Sequence, residues 1–569
     1  MIDGDNAVRR SGLAPIRLTG EHNRDWEGAV WIGQIDLNEL ADPGSEGDPA
    51  PDSRRELVDG NGFHEARVLV WEDRRPLGFV EIPVTDGAID DTVLYDRART
   101  LPMPPPLPEP IERPGISVVV CTRDRPDHLA RLLDSVGALD YPEFEVVVVD
   151  NNPASGLTAP VVESCPSAQV RLVCAVGQGL SIARNVGLRS AKYGLVAFTD
   201  DDVVLDRNWL SHLVIGFERD EDVACVCGMV PSAEVTTPAQ AYFDTRVGWA
   251  ERWTPALYGM GRHTGDDELF PLRVSEFGTG ANFAVRRDVV VDLGGFDEAL
   301  GAGSAAGSGE DMDIFVRILL AGRLVAREPA ALVWHSHRET VAELEKQMYG
   351  YGVGLSAMIF KLLVHPRTGL LVTRRLAVGI RHLGAVTETR PSPAIDAEPA
   401  LAQLRRKEFA GVIHGPWQFL RGRLEGRSGA PLRTSRGLMG LLDFRHGQVW
   451  GDLGNSILEG RLAAVALWIG LVGAVGATMI LPGVLQAAAV AAFVVLGPGS
   501  LVMSFGQFPV YVRLALIPVV GLAFCIVAVT VPLMAGFWNP AVVLGVSSAV
   551  TALGGFGRGA RLASEVVRA

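Results

Sequence analysis

At 569 residues the chain is too long to fold around one hydrophobic core, so two or more domains are expected. Its formal net charge of −14 argues against a nucleic-acid binder. The charge is uneven: Lys361 to Arg461 carries 16 Lys/Arg against 8 Asp/Glu, a net of +8 that leaves −22 for the remainder, and this basic stretch runs directly into the most apolar part of the chain, which suggests an anionic membrane surface.

The first twenty residues are polar, so no signal peptide is visible. Within residues 1–100, the alternating runs Ala29–Ile35, Ala66–Trp71 and Gly78–Val84, with the polar segment Asp42–Arg55 between them, predict a small β domain without evident chemistry. Residues 101–115 form a linker stiffened by Pro102, Pro104, Pro105, Pro106, Pro108 and Pro110. The six cysteines show no zinc-type pairing, as expected of reduced thiols in a cytosolic domain.

From Ile116 the pattern changes. Apolar runs at Ile116–Cys121, Val146–Val149, Val170–Ala175 and Leu195–Phe198 alternate with helix-like segments at Pro126–Gly137, Thr158–Ser164 and Gly179–Ala191. This predicts an α/β domain over residues 116–350, a doubly wound, mostly parallel sheet covered on both faces. Sites in such sheets form beyond the carboxyl ends of the strands. Those ends are polar here: Thr122-Arg123-Asp124, Asp150-Asn151-Asn152 and Asp200-Asp201-Asp202.

Residues 351–461 contain two basic amphipathic stretches, Lys361–Leu383 and Leu401–Leu424. Interfacial helices on the inner leaflet fit this composition, with a soluble helical hairpin as the alternative. Between Arg461 and Arg558 the only charged side chain is Arg513. The expectation is about four spanning helices of ~20 residues within 462–557: Leu462–Leu481, Val484–Phe505, Leu514–Met534 and Ala541–Phe556. Gly497-Pro498-Gly499 interrupts the second, and the fourth is short, so either can be re-entrant. Positive charge before Leu462, at Arg513 and in the tail 558–569 puts those segments, and the α/β domain, on the cytoplasmic side.

Five clusters carry chemistry. Period-two geometry puts Asp200 and Asp202 on one side of a strand end, where two oxygen ligands suit a hard divalent cation chelated by a diphosphate. Asp150 can accept from a nucleobase or ribose, although singly an Asx-turn is the commoner use. Arg184, on the helix opened by Gly177-Gln178-Gly179, can neutralise a nucleotide phosphate or hold an acidic cluster; a surface Arg is the bland alternative. Glu310-Asp311-Met312-Asp313 starts a helix (Met312–Ala321) beneath the glycine-rich 301–309 loop, which is either capping or a general base on a rigid element under a mobile loop. His335 and His337 share a side of another strand end, and one neutral imidazole can complete a cation's coordination.

The ordered set Val118–Pro126 (VVVCTRDRP), Val147–Asn151 (VVVDN), Gly179–Gly187 (GLSIARNVG), Phe198–Val203 (FTDDDV), Gly278–Arg286 (GTGANFAVR), Gly309–Asp313 (GEDMD) and Val333–Arg338 (VWHSHR) resembles glycosyltransferase family 2 with its GT-A fold, over about 240 of the 569 residues. The resemblance implies that Thr122, Arg123 and Asp150 contact the nucleoside of a nucleoside-diphosphate sugar. Arg184 would orient that donor and Asp200 would reach its ribose or sugar, with Asp201 adjacent. Asp202 and His335 would hold Mg2+ or Mn2+, and Asp311 would be the catalytic base. Gly280, Asn282 and Glu310 would line the acceptor and sugar pocket. The order of small domain, core and helical tail is similar to membrane-anchored bacterial cell-envelope transferases, whose acceptors are lipid-linked or polysaccharide. The Gln-x-x-Arg-Trp signature of processive members is absent, since Lys407 follows Gln403–Arg406. The expectation is therefore an inverting, non-processive transfer at the inner membrane face. Its rivals are a nucleotidyltransferase releasing pyrophosphate and a non-catalytic membrane scaffold.

Overall fold

The computed structural model describes residues 12–17, 26–40, 54–261, 263, 269–365, 368–369, 371–372, 375, 404–432, 452–478, 482–505, 510–534 and 539–568. Two compact units result, one built from residues 1–361 with 374–438, the other from 362–373 with 439–569.

The first unit opens with the expected small β domain. Strands β1 (Val30–Asp36), β3 (Glu65–Glu72) and β4 (Arg75–Pro83) form one sheet, and β2 (Arg54–Glu56) pairs with β5 (Ala88–Asp90). Helix α1 (Asp91–Ala98) was not expected. The Asp90 carboxylate caps it by accepting from the amides of Thr92 and Val93. Most of the polar segment Asp42–Arg55 lies outside the described residues.

The central domain follows: β6 (Ile116–Thr122), α2 (Pro126–Val136), β7 (Phe144–Asp150), α3 (Thr158–Ser164), β8 (Val170–Cys174), α4 (Leu180–Ser190), β9 (Leu195–Asp200), β10 (Val203–Leu205), α5 (Trp209–Glu218), β11 (Val223–Met229), α6 (Pro238–Val247), β12 (Ala256–Tyr258), β13 (Asn282–Arg286), α7 (Arg287–Asp292), α8 (Glu310–Leu320), β14 (Leu324–His335) and α9 (Val341–Val364). Sheet order is β10-β14-β11-β13-β9-β6-β7-β8, with β12 also on β14.

The α/β reading holds, but the sheet is mixed rather than mostly parallel. Strands β9, β6, β7 and β8 are parallel neighbours, and β11 is parallel to β14. In contrast, β13 runs antiparallel to both β9 and β11, and β10 runs antiparallel to β14. The cause is local. Asp201 and Asp202 turn the chain straight from β9 into β10, and β13 arrives from the Gly278–Gly280 loop.

The small domain is packed against the back of the site. Ile32, Leu69 and Trp71 share one core with Met229, Ala233, Val235, Leu332 and Trp334, and Phe79 meets both Trp253 and Trp334 edge-on. Arg17 pairs with Glu234, and Arg67 with Asp244 at 2.7 Å. Alternation along β14 turns Leu332 and Trp334 toward this core and Val333 and His335 to the other face. Trp334 thus braces the strand that carries His335. Trp334→Ala is expected to lower stability by about 3–5 kcal/mol, read by denaturant unfolding; a change under about 1 kcal/mol would contradict the packing role.

Beyond α9, helix α10 (Leu404–Leu424) belongs to the same unit. Most of the Lys361–Leu383 stretch lies outside the described residues. The second unit contains α11 (Asp452–Ala477), α12 (Gly483–Met503), α13 (Val510–Met534) and α14 (Pro540–Arg568). Among the described residues three segments are long and apolar enough to cross a membrane, Gly483–Met503, Val512–Met534 and Pro540–Arg561; the apolar part of α11, Arg461–Ala477, is shorter. The expected break at Gly497-Pro498-Gly499 is absent, since α12 runs through Pro498. Those glycines serve close packing instead: a Cβ on Gly499 would lie 1.8 Å from the Ile517 carbonyl oxygen. The last of these segments, Pro540–Arg561, is likewise longer than expected. Arg513 and Arg558 both approach the Glu459 carboxylate, at 3.4 and 2.7 Å, so they lie at the same end of the bundle.

Candidate active site

Strand register brings the acidic residues together. Thr122 lies opposite Asp150, and Cys121 opposite Asp200, so three strands end in one polar crevice. After Asp200 the chain turns back as β10, whose Val203 pairs with His335, while the Ser336 amide donates to the Asp202 carbonyl at 2.9 Å. The Val203–His335 pairing joins residues 132 positions apart in the sequence.

Asp200, Asp202 and His335 present ligand atoms all within 4.8 Å of one another. Asp202 Oδ1 is 3.2 Å from His335 Nε2, is buried and accepts no hydrogen bond. A buried, unsatisfied carboxylate oxygen is costly unless a ligand completes it. Two carboxylates and an imidazole are a donor set that fits a hard or borderline divalent cation such as Mg2+ or Mn2+.

Around this triad the charges are layered. Arg125 Nη1 is 2.5 Å from Asp201 Oδ1 and its Nη2 is 3.0 Å from Asp202 Oδ2, while Arg338 Nη1 is 3.6 Å from the same Asp202 oxygen. Burial alone would raise the Asp202 pKa, but His335, Arg125 and Arg338 outweigh it and hold the carboxyl well below the ordinary range. Burial and the neighbouring Asp202 push Asp201 up to about 7. Asp201 faces inward, accepting from the Thr122 hydroxyl at 2.7 Å, so Thr122 and Asp201 stiffen the strand ends.

His335 Nδ1 lies 3.0 Å from His337 Nδ1, in a pocket walled by Phe243 and Trp249. Burial, then the neighbouring His335, keeps His337 well below its usual pKa, so it stays neutral. Against burial, Asp202 holds His335 above its usual pKa, so a cation would displace the Nε2 proton; the proton left on Nδ1, shared with His337, would keep the ring in the form a cation requires. His337→Ala is expected to weaken Mn2+ affinity by about 10–100-fold, read by calorimetry; unchanged affinity would remove His337 from this role.

A second cluster adjoins the first through Arg184. Its guanidinium donates to Glu310 Oε1 (2.8 Å), Asp200 Oδ1 (3.3 Å) and the Gly280 carbonyl (2.9 Å), and lies over Phe283 and Phe296. Of the two uses open to Arg184, holding an acidic cluster is the one this geometry carries; the side chain is buried and spent. Burial and Asp311 push Glu310 up to about 7 against the pull of Arg184. Asp311 Oδ2 accepts from the Gly280 amide at 2.7 Å and Oδ1 from the Met312 amide at 2.8 Å. Asp311 is half-buried at the first turn of α8, where the helix dipole favours a carboxylate. Gly309 before it has a φ of 96°, and a Cβ there would lie 2.7 Å from the Gly354 carbonyl, so the approach to α8 requires glycine.

Other residues named from the sequence are placed differently. Asp150 is buried and accepts from the Asn152 amide at 2.8 Å, the Asx-turn geometry. Arg123 donates to the Asn151 carbonyl at 2.7 Å. Asn282 is a correction: it is wholly buried, donating to the carbonyls of Met229 and Ala331 and accepting from Trp209 Nε1, so it cannot line an acceptor pocket. The sequence reading missed Arg125, Arg338, His337 as a partner of His335, and Trp249. Arg125 stands inside VVVCTRDRP, but nothing local shows that it reaches two carboxylates more than seventy positions away.

Residues 114–350 match the sequence model of "Glycosyltransferase like family 2". The chain is similar to pre-mycofactocin glycosyltransferase of Mycobacterium tuberculosis, 29% identical over 263 residues, which are 45% of this chain and 50% of that protein. It is also similar to succinoglycan biosynthesis protein ExoM of Rhizobium meliloti, 29% identical over 318 residues, 54% of this chain and 92% of that one. The chain thus spans about half the length of the mycobacterial relative. Among solved structures, a mannosyltransferase of Pyrobaculum calidifontis overlaps at 19% identity and a TM-score of 0.36, covering 55% of this chain and 89% of its own, a likeness too loose to bear on chemistry. The matched region holds the expected motifs in order on an α/β fold with a mixed sheet. Residues 114–350 are a glycosyltransferase family 2 domain, and the chain that carries it continues into helices of membrane-spanning length.

Proposed function

We propose that this protein is an inverting, metal-dependent glycosyltransferase that moves a sugar from a nucleoside diphosphate to the hydroxyl of a lipid-linked or cell-envelope glycan acceptor. The observation that carries the reading is one crevice holding both a cation-type triad (Asp200, Asp202, His335) and a half-buried carboxylate on a helix start (Asp311), joined by Arg184. A nucleotidyltransferase would need the same acids, but the family match favours sugar transfer.

In this reading Asp202, Asp200 and His335 hold Mg2+ or Mn2+, which when bound offsets charge on the departing diphosphate. Asp311 takes the acceptor proton as the hydroxyl oxygen attacks the anomeric carbon from the face opposite the leaving group. The amide of Gly280 fixes the Asp311 carboxylate in place, and Arg184 keeps Glu310 and Asp200 from repelling it out of position. A shallow open cleft lined by Trp249, Gly278, Thr279 and Arg327 among others offers an aromatic face for an acceptor sugar. Arg123, on the exposed rim, is the remaining candidate for contact with the nucleoside.

The domain is taken to face the cytoplasm, where nucleotide sugars are made. The test is a panel of nucleoside-diphosphate sugars presented to the full chain in detergent with membrane lipid extract. The expected products are a free nucleoside diphosphate and a glycolipid of inverted anomeric configuration; pyrophosphate release from a nucleoside triphosphate would contradict the reading.

A further inference from the structure

Helix α10 has two faces with different uses. Leu404, Gly411, Gly415, Phe419 and Gly422 are buried. The contact with α9 is close: a Cβ on Gly411 would lie 2.3 Å from the Tyr349 carbonyl oxygen, and one on Gly415 would lie 1.9 Å from Ser356 Oγ. Phe419 joins Ala299, Leu300, Val353 and Ala357 in a small core, and Glu408 pairs with Arg246 at 3.2 Å. The opposite face is apolar and uncovered: Phe409 is 61% exposed, Ile413 63%, Trp417 62%, Leu420 42% and Leu424 80%. Their spacing of i, i+4, i+8, i+11 and i+15 makes one stripe along the helix.

A helix of a water-soluble domain turns its large side chains inward and its polar ones out. Here three glycines, with Leu404 and Phe419, face the protein while five large apolar side chains face away, which is sensible only if something covers them. The border of the stripe says what. Exposed Arg405, Arg406 and Lys407 flank one end and exposed Arg421 the other, while Arg423 and Arg427 turn toward the protein; residues 404–427 hold six basic and two acidic side chains in a chain of net charge −14. The described residues of the same chain include three helices long and apolar enough to cross a bilayer, so a lipid surface is at hand.

We infer that α10 lies on an anionic lipid surface, its Phe409–Leu424 stripe at the boundary of headgroups and acyl chains and its flanking arginines on lipid phosphates. The seat is mechanically joined to the site. Just beyond α10, Arg427 donates to the carbonyls of Gln178 and Gly303, both at 2.9 Å, and Arg423 pairs with Asp297. The 177–179 loop and the 301–309 loop precede α4 and α8, which carry Arg184 and Asp311. A helix fixed on the bilayer therefore sets the height of the catalytic crevice above it. This consequence, unlike the lipid contact itself, rests on the proposed membrane-borne acceptor.

The test uses the full chain in nanodiscs of phosphatidylcholine with or without phosphatidylglycerol. A polarity-sensitive thiol probe is placed by Ile413→Cys or Leu420→Cys, with Glu163→Cys on α3 as the solvent control, and the signal of the unsubstituted chain is subtracted. The expected result is blue-shifted emission at 413 and 420 and an intensity loss of about twofold or more with spin-labelled lipids, stronger with phosphatidylglycerol, with neither effect at 163. Solvent-like emission at 413 and 420 would overturn the inference. So would a blue shift that lipid quenchers leave untouched, since a protein partner would then cover the face. The readout needs no turnover, so a failed sugar-transfer assay and a failed lipid contact are separate outcomes.

Discussion

Asp311→Asn is expected to lower turnover by about 10²–10⁴-fold while leaving nucleoside-diphosphate binding intact. The substitution preserves shape and can still accept the Gly280 amide through its side-chain oxygen, so the loop and α8 stay where they are. What is lost is the ability to take a proton. Glu310 cannot take its place, because its carboxylate is buried and committed to Arg184. The discriminating pattern is a fall in kcat with an unchanged Kd for the nucleotide. Near-normal turnover would show that Asp311 is not the base.

Asp202→Asn is expected to abolish metal-dependent donor binding and to lower turnover by about 10³-fold, the loss of several kcal/mol of charge stabilisation in the transition state. Asp202 is the one acid that meets His335, Arg125 and Arg338 together. An amide there keeps a carbonyl oxygen but loses the negative charge, leaving two guanidiniums facing a neutral group. Some of the effect would be local rearrangement, so nucleotide binding without metal is the necessary control. The reading requires that control to be little changed.

Much of this site was legible in the sequence because its acids end apolar strands. Valine runs fixed β6 and β7, and the switch to Thr122 and Asp150 marked where they stop. Asp200–Asp202 and His335 could be read as candidates on the same grounds, although nothing in the chain showed that β10 would turn back to pair with β14 and bring them together. Other features depend on contacts that periodicity does not report. Asn282 was misplaced because successive strand residues point to opposite faces, and its face turned out to be the interior. Strand β13 is too short to reveal its direction. The small β domain looked inert because its role lies in Trp71 and Phe79 meeting Trp334 across a domain boundary. In the apolar region, Gly-Pro-Gly suggested a break, whereas the helix uses those residues to let Ile517 approach.

The most direct measurement is a Mn2+ titration of the full chain, followed by electron paramagnetic resonance, with and without a nucleoside diphosphate. The account predicts one tightly held ion whose affinity rises when the nucleotide is present and which is lost in Asp202→Asn and in His335→Ala. Retention of the same ion with unaltered affinity in both variants would show that the triad is not the metal site.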